Sequence, residues 1–175
     1  MHVIITGGVQ TGKSTLAAAL TAFLKAENVS MAGILATGLW KNGRRHGFDL
    51  TDLATGAITP LARRVDRVED TAITPFEFFE RGLAAGKKAL DVKTTANAAM
   101  VMVDEVGKLE LMGQGWGPFM SSLVSNSRAV HVWVVRENLV RDVCARWNLD
   151  RVEIVHVDDG DALERLKKMF AKERV

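Results

Sequence analysis

The chain opens MHVIITGGVQTGKST, in which Val3, Ile4 and Ile5 run directly into a segment with glycines at 7, 8 and 12 that ends in Lys13, Ser14 and Thr15. The apolar triplet reads as a short buried strand, whereas three glycines between positions 7 and 12 suit no packed strand. The strand therefore ends in a loop built for close backbone approach. Directly after it, STLAAALTAFLKAE sets Leu16, Leu20, Phe23 and Leu24 at helical spacing among good helix formers. A strand, a glycine loop and a helix at the head of the chain constrain the fold more than any other feature.

The remaining pattern extends that unit. Residues 30–39 (SMAGILATGL) read as a second strand, and Asn42-Gly43 and Gly56 mark turns between runs able to pair, which predicts an antiparallel meander over about residues 30–65. Pro75 marks a helix entry ahead of a helical pattern over 75–95. Three strands follow, AAMVMVD, RAVHVWVV and VEIVHV, each nearly all apolar as in a sheet covered on both faces. Helical patterns over 115–126, 138–148 and 160–173 separate or follow them. The expected fold class is α/β: a mainly parallel sheet with helices on both faces and a small antiparallel insert, in one domain over residues 1–175.

Composition narrows the function classes. With 47% hydrophobic and 25% charged residues the chain is not of the disordered class. A net charge of +2, spread over short basic clusters (Lys41, Arg44, Arg45; Arg63, Arg64, Arg67; Lys167, Lys168, Lys172), gives no indication of nucleic-acid binding. The one cysteine, Cys144, excludes an intrachain disulfide framework and fits a cytoplasmic setting, where it reads as a small apolar residue. No run approaches a membrane span and no leader pattern precedes the first strand, so no membrane partner is expected.

Gly7 to Ser14, GGVQTGKS, fits glycine, four residues, glycine, lysine, serine or threonine, the P-loop pattern. Consecutive backbone N–H groups that curl around phosphate oxygens need glycine dihedrals and no side chain in the way, as Gly7 and Gly12 provide. The helix that follows adds unpaired amides and the positive end of its dipole. Gly7, Gly8, Val9, Gln10, Thr11, Gly12, Lys13, Ser14 and Thr15 are thus the candidate nucleotide-binding residues. Lys13 is placed to reach the β- and γ-phosphates, and the Ser14 hydroxyl to ligate Mg²⁺. A second constellation, MVMVDEVGKLELM, ends an apolar strand in Asp104 and Glu105, at the sheet edge where open α/β folds bind ligands. Asp104 suits the Mg²⁺ side, and Glu105 suits orientation and deprotonation of a water attacking the γ-phosphate. An acidic strand end paired with Lys108 is the structural alternative.

Together, ITGGVQTGKSTL, RRHGFDLTDL and VDEVGKLEL make the sequence resemble the small P-loop nucleoside-triphosphatases of archaea, bacteria and animals, a family that includes a human cancer-related member. The resemblance implies a RecA-like fold, Mg²⁺ dependence, and hydrolysis of several nucleoside triphosphates (ATP, GTP and others) with little base selectivity. It also implies a metal-side role for Asp104 and a water-activating role for Glu105. Val106 and Leu109 depart from the isoleucine and methionine common in relatives, with volume and apolar character kept, and residues 63–98 carry no quotable match.

Arg136, at the end of VHVWVV, would come near the γ-phosphate if one strand lay between the two motif strands, and is a candidate catalytic residue beside Lys13 and Glu105. A surface pair with Glu137 explains it equally, and Arg141 is a weaker version of the same idea. Arg44, Arg45 and His46 face either phosphate and base or a charge-protected hairpin edge. Trp40 is expected to pack on the hairpin rather than to stack on a base, and Trp116, Trp133 and Trp147 to lie in the core. The four histidines show no ligand spacing. Two further classes stay open: a nucleotide or small-molecule kinase, which needs an acceptor site and a lid for which Arg63, Arg64 and Arg67 are the candidate arginines, and a nucleotide-dependent switch acting on a partner.

Overall fold

The computed structural model describes residues 1–65, 74–126 and 128–172. Strand β1 (His2–Gly7) leads through the glycine loop into helix α1 (Lys13–Ala26). The meander follows as β2 (Met31–Lys41), β3 (Arg44–Asp52), β4 (Ile58–Arg64) and β5 (Phe76–Phe78), and the next helices are α2 (Glu80–Ala89) and α3 (Val92–Thr95). Then come β6 (Met100–Val106), α4 (Lys108–Leu111), α5 (Gly117–Asn126), β7 (Val130–Arg136), α6 (Val140–Arg146), β8 (Val152–His156) and α7 (Ala162–Lys172).

Among the described residues, eight strands form one sheet in the order β5-β4-β3-β2-β6-β7-β1-β8. The five strands β2, β6, β7, β1 and β8 pair in parallel, and β3, β4 and β5 extend the β2 edge antiparallel. The expected α/β class with its antiparallel insert is therefore present, and β7 lies between the two motif strands β1 and β6. Parallel strands are apolar at nearly every position because alternate residues serve two cores. Ile4, Val101, Val103 and Trp133 join one core with Trp116, Met120 and Leu123. Val3, Ile5, Met100, Met102 and Val132 join the other with Leu20 and Leu24 of α1 and Leu166 and Phe170 of α7.

Strand β2 couples the two halves of the sheet. At Gly33 (φ +96°) an added Cβ would stand 2.1 Å from the Met102 carbonyl oxygen, so only glycine lets β2 approach β6 this closely.

Two expectations need correction. Pro75 opens no helix: Phe76–Phe78 pairs antiparallel with Ala62–Arg64, and Phe76 packs edge-on against Phe48 with ring centroids 5.0 Å apart. That aromatic contact outweighs the helical spacing, and helix resumes only at Glu80 before breaking again at Leu90. Strand β8 is not covered on both faces, since Glu153 and Ile154 are exposed at the sheet edge. Trp40, 53% exposed, packs on the hairpin as expected, its ring against the Arg45 guanidinium of the facing strand. Trp116, Trp133 and Trp147 are buried as expected, and Cys144 packs half-buried against the first core.

Candidate functional site

The glycine loop leaves β1 at the carboxyl edge of the parallel strands, beside the ends of β6 and β7. Gly12 sits at φ +95° and starts α1 with no side-chain cap, which leaves the first-turn amides of the helix without intrahelical partners. Those amides and the helix dipole give the loop its preference for an anion. Lys13 is buried to 8% exposure, and its Nζ donates to the carbonyl oxygens of Gly7, at 3.2 Å, and Gly8. Thr11 Oγ1 donates to the Gly8 carbonyl at 3.0 Å and folds the loop tip inward.

Asp104 reaches this loop from β6. Its side chain is fully buried, accepting from the Ala36 amide at 3.0 Å and from Ser14 Oγ at 3.3 Å. Burial first, and the neighbouring Glu105 second, push its carboxyl up to about 7, against the pull of those hydrogen bonds. A buried carboxylate that shares a short polar contact with the loop serine is the donor set a hard cation prefers. Mg²⁺ takes one or two carboxylates together with phosphate oxygens and water. Among the described residues no cluster of three or more His, Cys, Asp or Glu offers an all-protein metal site.

Glu105 is set differently. The β6–β7 register shifts between Val103 and Val106, and Glu105 takes φ +63°, a left-handed conformation uncommon for a side-chain-bearing residue. This bulge sets the two adjacent acids differently: Asp104 is fully buried against Ala36 and Ser14, Glu105 is half-buried, and both line a cavity of about 170 Å³. Arg136, Lys108, Phe48, Phe76, Phe78 and Trp116 also line the cavity. Lys108 itself is exposed and makes no ion pair with Asp104.

Arg136 closes the other side. Its position in β7 is in register with Gly7, beside the first glycine of the loop. Glu137, its expected surface partner, lies instead 3.8 Å from His156 Nε2. Burial, with Arg136 and Arg45 adding repulsion, holds the Lys13 ammonium below its ordinary range despite the pull of Glu105 and Asp104. Of the hairpin residues, Arg44 and His46 are exposed while Arg45 is turned partly inward. Arg63 is a structural residue, donating to Asp49 Oδ1 at 3.0 Å and to the Phe48 and Ala62 carbonyls; Arg67 lies outside the described residues.

One residue of the site escaped the reading of the sequence as an individual. Glu110 is 4% exposed and accepts from the Gly107 amide at 2.8 Å and from the Trp116 amide at 3.2 Å. It fastens the turn that follows Glu105. The signal was present as a glutamate three residues into a helix start, the spacing of a capping box.

Comparison with known proteins bears on the family and the fold. A family model described as "NTPase" matches residues 2–166. The human cancer-related nucleoside-triphosphatase is 29% identical over 65% of this chain, and the chain spans 63% of that relative's length. Nucleoside-triphosphatase THEP1 of Methanopyrus kandleri is 24% identical over 88% of this chain and 83% of its own. The solved structure of a human cancer-related nucleoside triphosphatase superposes with a TM-score of 0.71 at 20% identity, covering 98% of this chain and 96% of the other, a likeness of fold. With the matched region running from the first strand into the last helix, the chain belongs to the NTPase family.

Proposed function

We propose that this protein is a Mg²⁺-dependent nucleoside-triphosphatase that hydrolyses ATP, GTP and other nucleoside triphosphates to the diphosphate and phosphate with low base selectivity. The observation that carries the reading is the split of adjacent acids, with Asp104 bonded to the loop serine and Glu105 facing the cavity beside it. Ser14 and Asp104 would hold the cation, which when bound neutralises charge on the β- and γ-phosphates. The amides from Gly7 to Thr15 and the Lys13 ammonium grip the phosphates, and Lys13 exchanges its loop carbonyls for phosphate oxygens. Glu105 orients a water and takes its proton as the new P–O bond forms and the bond to the β-phosphate oxygen breaks. Arg136, level with Gly7, faces the charge that develops on the transferred group. The lone cysteine supports a reducing, cytoplasmic setting.

A specific observation favours one second reading. The cavity at Glu105 has apolar walls from Phe48, Phe76, Phe78, Leu83 and Trp116, more enclosure than one water needs, so a small hydroxyl-bearing acceptor is the alternative to water. Phosphate release from ATP, GTP, CTP and UTP, with and without Mg²⁺, tests the first reading. Release from several nucleotides that stops without Mg²⁺ is expected. Binding of nucleotide with no phosphate released would transfer the proposal to the acceptor reading.

A further inference from the structure

We propose that Arg45, from the meander rather than from either motif, contacts the γ-phosphoryl group and stabilises the charge that develops on it during transfer. The inference rests on the hydrolytic reading of the site. It begins with strand register. The Ala36 amide is bonded to Asp104, so this point of β2 is level with the buried acid. Gly38 lies two residues further along β2, about 6.6 Å past that point at strand rise. The Arg45 guanidinium rests directly over Gly38: a Cβ there would meet Arg45 Cζ at 2.6 Å. Gly38 and Ala36 share a face of the strand, and Ala36 lines the cavity with Asp104 and Glu105. The cation therefore overhangs the place where a loop-bound nucleotide ends.

The way it is held leaves it available. The guanidinium lies 4.6 Å from the Trp40 ring centroid and 5.0 Å from that of Phe48, between aromatic faces and not on a carboxylate. The nearby acid Asp49 is engaged by Arg63, and among the described residues Arg45 has no ion pair. Its Nε is buried with no hydrogen-bond partner. The planar donor fork of the guanidinium matches phosphoryl oxygens. This arrangement gives exposed Trp40 a purpose: its ring seats the arginine. Arg136 reaches the same group from β7, so the two arginines bracket it from opposite sides.

Arg45→Ala should lower kcat about 100-fold, the scale of losing one preorganised donor to the transition state, with KM changed by only a few-fold. Binding of ADP should be unchanged, while binding of ADP with aluminium fluoride and Mg²⁺ should be lost. Free guanidinium should restore part of the rate, which a merely structural hairpin residue would not allow. Gly38→Ala provides a second variant, since it keeps the arginine and displaces its tip; kcat should fall with the melting temperature nearly unchanged. A kcat for Arg45→Ala within twofold of wild type, or a loss matched by equal loss of ADP affinity and not rescued, would overturn the inference. Absence of phosphate release by the wild type would instead overturn the hydrolytic reading, and the ADP–aluminium fluoride measurement separates the two cases.

Discussion

The glycine loop and the meander hold their cations, Lys13 and Arg45, by opposite means. Lys13 is tethered by backbone: it sits on carbonyl oxygens of its own loop, and any chain with that glycine spacing presents it similarly. Arg45 is seated by side chains, on Trp40 and Phe48 over a glycine, in a strand pair with no phosphate motif. On the proposed function, the parallel half supplies the binding of phosphate and the antiparallel half shapes what happens at its far end. Glu105 lies on the boundary, where a bulge lifts it out of the ladder towards the meander's cavity.

The largest expected effect is on the loop side of the comparison. Lys13→Ala should lower turnover by at least about 1,000-fold and weaken nucleotide binding, read by phosphate release and titration calorimetry. A normal rate would break the phosphate-loop half of the account. Gly33→Ala tests the joint between the halves. Its Cβ would clash with the Met102 backbone at a positive φ, so loss of about 3 kcal/mol or more is expected in chemical denaturation. An unchanged midpoint would mean that β2 is not held where Arg45 needs it.

Much of the parallel half is legible in the sequence because its signals are local. Glycine spacing, apolar runs and adjacent acids each report on a few consecutive residues, and the strands and helices around them follow with small shifts of boundary. The meander is less legible because its structure is decided by contacts across strands. Nothing local to Pro75 or Phe76 reveals that Phe76 meets Phe48, so a helical pattern reads through a strand. Nothing local to Arg44, Arg45 and His46 says which one turns inward; a register shift between Leu39 and Trp40 accompanies that choice. Glu105 illustrates the middle case, since its identity is visible in the sequence but its left-handed backbone is not.

Smaller effects sharpen the boundary at Glu105. Glu110→Ala leaves the Gly107 and Trp116 amides without their acceptor and should cost about 1–3 kcal/mol in a thermal or denaturant melt. Retention of full stability would show that the turn after Glu105 is held by something else. The last expected effect is a pH slope, at most about 1.4 kcal/mol per pH unit. With the Asp104 carboxyl pushed up to about 7 by burial, the folded metal-free protein binds a proton that the unfolded chain releases near pH 4. This group's contribution to stability is therefore full below about pH 4 and is lost as pH rises through about 7. Asp104→Asn should flatten that part of the stability curve, and an unchanged slope would place the titration elsewhere.

The most direct test of the central claim uses Glu105→Gln, which keeps size and hydrogen-bonding reach while removing the proton acceptor. Nucleotide affinity and single-turnover phosphate release are measured on the same sample with Mg²⁺. The account predicts affinity within a few-fold of wild type and release slowed by about 100-fold or more. Release at the wild-type rate would contradict it and leave the cavity without its base.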